Sequence, residues 1–410
     1  MGNDIQQKKE RRRENVIQPN KIAYLKQVKQ SNMSEVLEKI WQHQQISRVE
    51  LVEHTGLTSG TITNLTHELI ELKVIREFEA VSGNVGRRRV MLGFDTSQYR
   101  IIGLDIGRAT AEIVVVDLNG KIIRTIERDM SDRKGPDEYF GVIDPLLTEV
   151  KQEIEASGLT ILGLGVGVPG PMDYGAGTLL DPPNFPGWRN YPLQSVLEQK
   201  FGLTTLIEDD ARTSAMAERW YGLGRSIQDL VFITMGIGIG GGVVNEGKIV
   251  RGTNGLCGQV GHMTIVLDGK ICDCGNRGCW ETVGSIPGIL SRWSGGNTME
   301  QLTEAIRTGD SEALQCMEDT LNYLETALIN VYNMYDPELV VLGGRLYPYL
   351  ADYLLPVQNH LRSRLYAFAK DRLRIEPSTF GTSQSAVGAA ALVLGFLLSE
   401  PVRLLALTEA

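Results

Sequence analysis

A pattern of strands and turns occurs twice in the chain and limits the folds open to it. Residues 101–126 read as a buried strand, a glycine turn, a second strand, a hairpin turn and a third strand, and residues 230–250 repeat this order. This duplication predicts two similar lobes of mixed sheet with helices packed outside. Glycine turns between paired strands can bring backbone N–H groups close to phosphates, or they can be tight turns that hold no ligand.

Length and charge restrict the class of protein further. A chain of 410 residues is long enough for two or three domains, and no run of about 18 apolar residues predicts a membrane span. The net charge of −9 is uneven: residues 1–98 carry 15 lysines and arginines against 12 acids, and the remainder carries 26 against 38. This imbalance favours contact of residues 1–98, and not of the acidic remainder, with a polyanion. The odd number of cysteines and the absence of a signal peptide favour a cytoplasmic protein.

The first hundred residues predict three helices. The first helix has an apolar stripe that follows Asn32 and contains Val36, Leu37, Ile40 and Trp41. The second is capped by Ser47 with Glu50 in a capping box, ends at Gly56, and is expected to turn Val49, Leu51 and Val52 inward. The third, capped by Thr58 or Ser59, runs to about Leu72 and is expected to bury Ile62, Leu65, Leu69 and Ile70.

The second and third helices, joined by a turn containing Gly56, have the arrangement of a helix-turn-helix. A strand over 74–81, a turn and a basic run leading to residues 90–92 then predict a β-wing. The candidate DNA-binding residues are Ser59, Thr61, Thr63, Asn64 and His67 on the third helix and Arg87, Arg88 and Arg89 on the wing. The alternative is a small helical module for dimerisation or protein docking.

One histidine and three cysteines lie within eighteen residues of each other. His262, Cys272, Cys274 and Cys279 supply the four nitrogen and sulfur ligands of a closed tetrahedral zinc site, which predicts a structural zinc rather than a catalytic one. The alternatives are free buried cysteines beside an unrelated histidine, or disulfides. Cys257 and Cys316 receive no role.

Three carboxylates follow one another where a predicted strand runs into a helix. Glu208, Asp209 and Asp210 occupy this junction, and acids at a strand end usually face a cleft. There they could hydrogen-bond sugar hydroxyls, and one could act as a general base. The alternative is a polar helix N-terminus favoured by the helix dipole.

From about Lys29 to Leu398 the chain resembles the ROK family, which groups bacterial sugar kinases with sugar-responsive repressors. The resemblance rests on Gly261-His262 followed by Cys-x-Cys-Gly-x-x-Gly-Cys-x-Glu over 272–281. It implies an N-terminal winged helix-turn-helix followed by a two-lobed α/β actin/hexokinase-like (ribonuclease H-like) body, and the winged helix marks the repressor branch. It also places Asp210 at the position of the kinases' catalytic base. The candidate sugar-binding residues are Asn184, Asp209, Asp210, Gln259, His262 and Glu281.

Several positions depart from the kinase pattern. The phosphate turn Asp-x-Gly-Gly-Thr-Lys reads Asp-Ile-Gly-Arg-Ala-Thr from Asp105, and the second turn, usually Gly-Thr-Gly, carries Ile237 in its centre. Ala109 and Ile237 thus replace two phosphate-holding threonines, and Arg108 is bulky where a phosphate would approach. Gln259 replaces a sugar-contacting glutamate, and Asp209 replaces an asparagine. These changes favour a sensor over an enzyme.

The sequence therefore predicts a cytoplasmic repressor of sugar-uptake or sugar-catabolism genes that binds operator DNA as a homodimer or larger homo-oligomer and responds to a monosaccharide, with xylose as one choice. The rivals are a sugar kinase with a regulatory DNA-binding head and a repressor that senses a phosphotransferase protein. The expected organisation is a flexible basic segment (1–30), a winged helix (31–95), a first lobe (96–215), a second lobe with the zinc loop (216–380), and a C-terminal helix and tail that pack on the body (381–410).

Overall fold

The computed structural model describes residues 3–79, 90–183, 185–367 and 370–408, with side chains described from residue 23 onward except 404, 407 and 408. The chain divides into two compact units, one formed by Met1–Tyr99 with Leu394–Ala410 and one formed by Arg100–Val393. The last residues therefore group with the N-terminal unit, whereas the sequence predicted that all of 381–410 would pack on the body.

The first part of the N-terminal unit, up to Tyr99, contains three helices and a small antiparallel sheet. Its elements are α1 (Asn3–His43), β1 (Ile46–Ser47), α2 (Arg48–Thr55), α3 (Ser59–Glu71), β2 (Ile75–Glu79) and β3 (Val90–Phe94). Strand β3 lies between β1 and β2 and is antiparallel to both. Helix α1 includes nearly all of the segment predicted to be flexible. The lysines, glutamines, leucine and alanine of 21–31 are good helix formers, and the sequence reading gave their propensity too little weight.

The local signals in this unit act as their chemistry requires. The Ser47 side chain accepts the Glu50 N–H while Glu50 accepts the Ser47 N–H, and Gly56 ends α2 at φ 68°. The Thr58 side chain caps α3 by accepting the Thr61 N–H. The apolar stripe of α1 is buried, and Trp41 meets Phe94 edge-on with ring centroids 5.7 Å apart. The caps thus define the ends of α2 and α3, and the Trp41–Phe94 contact holds α1 against β3.

Three apolar positions of this unit differ from expectation, and one of them, Val52, is half-buried. Val49 is 65% exposed, because it lies two residues from the buried Leu51 and so on the opposite side of α2. Ile70 is half-buried, while Ile62, Leu65 and Leu69 are buried. The buried side of α3 is therefore narrower than predicted, and more of the helix surface faces outward.

The larger unit is built on two five-stranded sheets. Elements of the first half are β4 (Tyr99–Ile106), β5 (Thr110–Val116), β6 (Ile122–Asp129), α4 (Gly135–Ala156), β7 (Thr160–Val168), β8 (Met172–Asp173), β9 (Thr178–Leu179), α5 (Leu193–Phe201), β10 (Thr205–Asp209) and α6 (Asp210–Tyr221). The described part of the first sheet has the order β10-β7-β4-β5-β6. Strands β4, β5 and β6 form an antiparallel meander, and β10 runs parallel to β7.

The second half repeats this plan. Its elements are β11 (Leu230–Met235), β12 (Ile239–Asn245), β13 (Lys248–Ile249), α7 (Glu281–Gly284), α8 (Ile286–Leu290), α9 (Met299–Thr308), α10 (Ser311–Tyr335), β14 (Leu339–Gly343), α11 (Tyr347–Leu350), α12 (Leu354–Arg364), β15 (Ile375–Pro377) and the first part of α13 (Gln384–Ser399). From Leu394 onward, α13 groups with the N-terminal unit, as does α14 (Pro401–Thr408). The described part of this sheet has the order β13-β12-β11-β14-β15. Because both sheets place their strands in the order third, second, first, fourth, fifth, the predicted internal repeat is confirmed.

Helix α6 connects the two halves of this unit. It begins directly after β10, and it packs against β11 and β12 of the second sheet as well as β7 and β10 of the first. The residues that open α6 are therefore held between both sheets.

Helix α13 lies on the backbone of the first sheet. A Cβ on Gly103 would stand 2.0 Å from the carbonyl oxygen of Ala386, and one on Gly165 would stand 1.7 Å from that of Ala389. Only glycine permits such an approach. The stretch Gly381–Ser399 is long and apolar enough to cross a membrane, but 72% of it is buried inside the protein, as in a core helix.

Candidate functional site

A cleft of about 600 Å³ opens between the two halves of the larger unit. The turn after β4, the start of α6, the turn after β11, the loop with the cysteines and the start of α13 all contribute to its lining. Each of these segments begins or ends a regular element, so rigid sheets and helices hold the lining in place. An arrangement of this kind is typical of ligand sites in α/β proteins.

Asp209 and Asp210 line the cleft at the start of α6. Asp209 caps the helix by accepting the N–H groups of Ala211 and Arg212 at 3.2 and 3.3 Å. Burial raises the pKa of Asp209 to about 7, and the charge of Asp210 adds to the shift. Burial also raises the pKa of Asp210, while the positive charge of Arg108 opposes the change. The two carboxyl groups thus share a cleft in which their full ionisation is costly.

Glu208, the third acid of the run, does not line the cleft. It is fully buried, and its carboxylate accepts from Arg212 Nε at 3.1 Å and Arg251 Nε at 2.7 Å. Arg212 also donates to the carbonyl oxygens of Gly255 and Cys257. This network connects β10 and α6 to the loop that leads to Gln259 and His262. The sequence reading missed it, although Glu208 and Arg212 have the i, i+4 spacing of an ion pair.

Asp105 is a further carboxyl group of the cleft. It accepts the Ser385 hydroxyl at 2.5 Å, and the hydroxyl groups of Ser385 and Thr213 are 3.0 Å apart. Burial raises the pKa of Asp105 to about 7. The hydrogen bond from Ser385 lowers this pKa, whereas the charges of Asp210 and Glu112 raise it. Sequence reasoning had assigned Asp105 to the phosphate turn and had given Ser385 no role.

Glu281 stabilises the glycine turn after β11. Its Oε2 accepts the Ile239 N–H at 2.8 Å. A Cβ atom added to Gly238 would lie 2.7 Å from the same oxygen. Ile237, in the centre of the turn, is 51% exposed and lines the cleft. A negative carboxylate therefore lies beside the turn where a nucleotide phosphate would need free N–H groups, and an apolar side chain replaces the hydroxyl.

Two arginines project into the cleft from its phosphate-turn end. Arg108 Nε donates to the Pro183 carbonyl oxygen at 3.1 Å. Arg345, which follows β14, donates to Thr110 Oγ1 at 3.0 Å and lies 3.6 Å from Glu127. Arg345 thereby connects the second sheet to the first. The sequence feature that could have indicated a role for Arg345 is the Gly343-Gly344 pair directly before it, at the end of β14.

The histidine and three cysteines converge as predicted. The ligand atoms of His262, Cys272, Cys274 and Cys279 all lie within 4.8 Å of one another, so the group could hold a metal ion. His262 Nδ1 is 3.7 Å from Cys272 Sγ, and Cys274 Sγ is 3.7 Å from Cys279 Sγ. A tetrahedral zinc with Zn–S bonds of about 2.3 Å holds two sulfurs about 3.8 Å apart, and sulfur and nitrogen about 3.6 Å apart. The observed spacings fit that ion.

The cleft brings together five of the six predicted sugar-binding residues. Asp209, Asp210, Gln259, His262 and Glu281 all line it, while Asn184 lies outside the described residues. Of the predicted DNA-binding residues, the exposed ones on α3 are Ser59, Thr63, Asn64 and His67, and Thr61 is half-buried. Arg87, Arg88 and Arg89 lie outside the described residues.

With the cleft and the cysteine loop defined, the sequence can be compared with known proteins. The model of the ROK family matches residues 101–395. The chain belongs to the ROK family. Among its ROK relatives is the protein named xylose repressor of Caldicellulosiruptor bescii, which is 28% identical over 391 residues that cover 91% of this chain and 98% of the relative.

Solved ROK structures share the fold. The crystal structure of a ROK family transcriptional regulator described as a homolog of E. coli MLC protein matches with a TM-score of 0.77 and 25% identity, covering 93% of this chain and 100% of that one. A ROK family glucokinase from Streptomyces griseus in complex with glucose and AMPPNP matches with a TM-score of 0.60 and 27% identity, covering 72% of this chain and 98% of that one. The two mixed sheets with outer helices fit an actin/hexokinase-like body.

Proposed function

We propose that this ROK protein is a cytoplasmic transcriptional repressor of sugar-uptake or sugar-catabolism genes. The observation that carries the proposal is the extent of the similarity. The match to the regulator structure covers 93% of the chain, whereas the match to the glucokinase covers 72%. A relative named xylose repressor also covers nearly the whole chain. The N-terminal unit is thus common to this chain and to regulators.

In this proposal the N-terminal unit is a winged helix-turn-helix, with α2 and α3 as its helix pair and β2 and β3 as the strands of the wing. Helix α3 supports this role because it buries Ile62, Leu65 and Leu69 on one side and exposes short polar side chains on the other. Such side chains suit base edges and phosphates in a major groove. Arg87, Arg88 and Arg89 would contact phosphates or the flanking minor groove.

The repressor would act as a homodimer or larger homo-oligomer. One recognition helix reads a half-site, and a two-fold axis between two copies matches a pseudo-palindromic operator. Two half-sites also multiply the affinity that a single α3 can provide.

The effector would be a monosaccharide bound in the cleft, with xylose as the first choice because of the relatives' names. The carboxylates of Asp209 and Asp210, the amide of Gln259 and the imidazole of His262 line the cleft and offer donors and acceptors for hydroxyl groups. Asn184 is proposed to join them. Sugar binding would favour one closure angle of the two halves and thereby change the affinity for DNA.

The cysteine loop would hold a structural zinc through His262, Cys272, Cys274 and Cys279. The ligand spacings support zinc, and a four-ligand shell leaves no position for a catalytic water. His262 binds through Nδ1 in this arrangement, so the ion would fix its ring beside the cleft. Glu281 follows the last cysteine by two residues, and the same ion would fix its position against the glycine turn.

The second candidate is a ROK sugar kinase with a regulatory DNA-binding head. The half-exposed Asp210 in the cleft favours it, together with the similarity to a glucokinase. The turn after β11 argues against it, because Glu281 and Ile237 occupy the surroundings that a phosphate needs.

A salt titration of DNA binding tests the proposal. Asn64→Ala should relax sequence preference at one or two positions per half-site, at about 1–3 kcal/mol each. Arg88→Ala should weaken binding to all DNA alike and reduce the salt slope by roughly one unit. Arg128→Ala, on β6 of the larger unit, serves as the control. Equal slopes in all proteins would remove the wing from the interface, and failure to bind DNA upstream of any sugar operon would refute the repressor.

A further inference from the structure

Arg108 has unused hydrogen-bond donors in the cleft. It lies on the turn between β4 and β5, and its Nη1 is 3.8 Å from the point where a Cβ on Gly238 would stand. Across the part of the chain that the structure describes, its one hydrogen bond runs from Nε to the Pro183 carbonyl oxygen. The guanidinium carries five N–H groups, so four remain for a ligand.

The other basic side chains of the cleft already have partners. Arg345 binds Thr110 and lies near Glu127, and Lys270 donates to Ser291 Oγ at 3.0 Å. Arg212, behind the cleft, is paired with Glu208. Arg108 is therefore the arginine of the cleft best placed to contact a ligand.

The charged groups that act on Asp210 are Asp105, Asp209, Arg108 and Arg212. After burial, Arg108 has the largest influence on its pKa and lowers it. Asp210 is half-buried and lines the cleft together with Arg108. The pair offers an acceptor and a forked donor within one site.

We propose that Arg108 is an effector-binding residue that, together with Asp210, selects an uncharged sugar. Asp210 accepts a hydrogen bond from one hydroxyl, and Arg108 donates to the oxygen of a neighbouring hydroxyl. The inference rests on the proposed sugar-responsive function and adds the residue that fixes the ligand class.

The local charge explains the preference for an uncharged ligand. Asp105, Asp209 and Asp210 converge on this end of the cleft, and Glu281 is nearby, since its Oε2 and Arg108 Nη1 both lie within 4 Å of the same Cβ position on Gly238. Arg108 does not offset these acids, and Arg345, which also acts on Asp105, lies near Glu127. A sugar phosphate or uronic acid would add negative charge to a site where burial already makes such charge unfavourable. A neutral hydroxyl pair satisfies both side chains without adding charge.

Calorimetric titration of the full-length protein tests the inference. The probes are D-xylose, D-glucose and N-acetylglucosamine, with glucose 6-phosphate and glucuronic acid as negatively charged counterparts. The wild type should bind a neutral sugar more tightly than any charged one. Arg108→Met should weaken that binding about 10- to 100-fold, as expected for the loss of hydrogen bonds to a charged group. The affinity of Arg108→Lys should lie between those of the wild type and Arg108→Met, because lysine keeps the positive charge but lacks the forked N–H donors of the guanidinium.

The pH profile separates ligand binding from a merely structural role. Arg108 lowers the pKa of Asp210, so its removal should raise that pKa. When the pH is lowered, Arg108→Met should therefore lose its affinity for the sugar at a higher pH than the wild type does, because Asp210 is protonated earlier. At alkaline pH the affinity of the variant should partly recover. Arg128→Met removes an arginine from the neighbouring strand β6 outside the cleft and should leave affinity and pH profile unchanged.

The possible outcomes separate this inference from the proposed function. If the wild type binds none of the sugars, both are refuted. If it binds a neutral sugar and Arg108→Met binds with the same affinity and pH profile, the inference alone is refuted. Tighter binding of a charged sugar than of its neutral counterpart would also overturn it. Equal melting temperatures of the variants exclude loss of folding as the cause.

Discussion

Replacing Glu208 with Ala should destabilise the larger unit strongly, and the contacts give the size of the effect. Glu208 is fully buried and pairs with Arg212, whose side chain is only 2% exposed, and with Arg251, whose side chain is 46% exposed. Loss of the carboxylate leaves the Arg212 charge buried without its partner, which typically costs about 3–5 kcal/mol. The contribution of Arg251 is much smaller because water screens its charge. Glu208→Gln keeps an acceptor and should cost about 1–3 kcal/mol.

Urea unfolding followed by tryptophan fluorescence measures this effect, because four of the five tryptophans belong to the larger unit. The matched control is Glu304→Ala, which removes an exposed carboxylate paired with Arg307 and should leave the urea midpoint nearly unchanged, because water screens that pair. If Glu208→Ala unfolds at the same urea concentration as the control, the network does not stabilise the fold and the reasoning is wrong. A loss for Glu208→Gln as large as that for Ala would show that charge, not hydrogen bonding, dominates.

Three further predictions concern metal, catalysis and pH. Purified protein should contain about one zinc per chain, and Cys272→Ala should both lose the metal and melt at a lower temperature. Purified protein that contains no zinc and keeps its melting temperature after treatment with a chelator would contradict this. Turnover of hexoses or pentoses with Mg-ATP should stay well below about 1 s⁻¹, the lower range of kinases, since Ala109 and Ile237 lack the phosphate-holding hydroxyls; a kinase assay checks it. Burial raises the pKa of Asp105 from 3.8 to about 7, so its contribution to stability is present below pH 4 and is lost as the pH rises through 7. Asp105→Asn should therefore flatten the decline in melting temperature between about pH 4 and 7, and an unchanged slope would refute the assignment.

The elements that sequence predicted well carry local signals. Ser47 with Glu50, Thr58 and Gly56 specify where α2 and α3 begin and end, because each satisfies or releases backbone groups within a few residues. The repeated strand order follows from the spacing of apolar runs and glycine turns. His262 and the cysteines converge because their spacing in the loop is short.

The features that sequence did not predict depend on contacts between distant residues. Val49 was expected to be buried with Leu51, but the side of α2 that packs is decided by its contacts with α3, α1 and the sheet. Glu281 was expected to accept a sugar hydroxyl, and whether it does stays a prediction; its contact with Ile239 joins residues that are 42 positions apart in the sequence. Glu208 was read with Asp209 and Asp210 as one acidic run. Strand alternation places its side chain on the side of β10 opposite to that of Asp209. There it pairs with Arg251, which is 43 residues away in the sequence.

The glycines beneath α13 have a mechanical consequence. Where side chains separate a helix from a sheet, rotamer changes can absorb a displacement of about an ångström. At Gly103 and Gly165 the peptide groups of the strands touch those of the helix, and no rotamers lie between them. The base of α13 must therefore move together with β4 and β7, and Ser385 at that base holds Asp105 in the cleft. A small shift of Asp105 or Ser385 in the cleft is therefore passed to the first part of α13, up to Val393, together with β4 and β7.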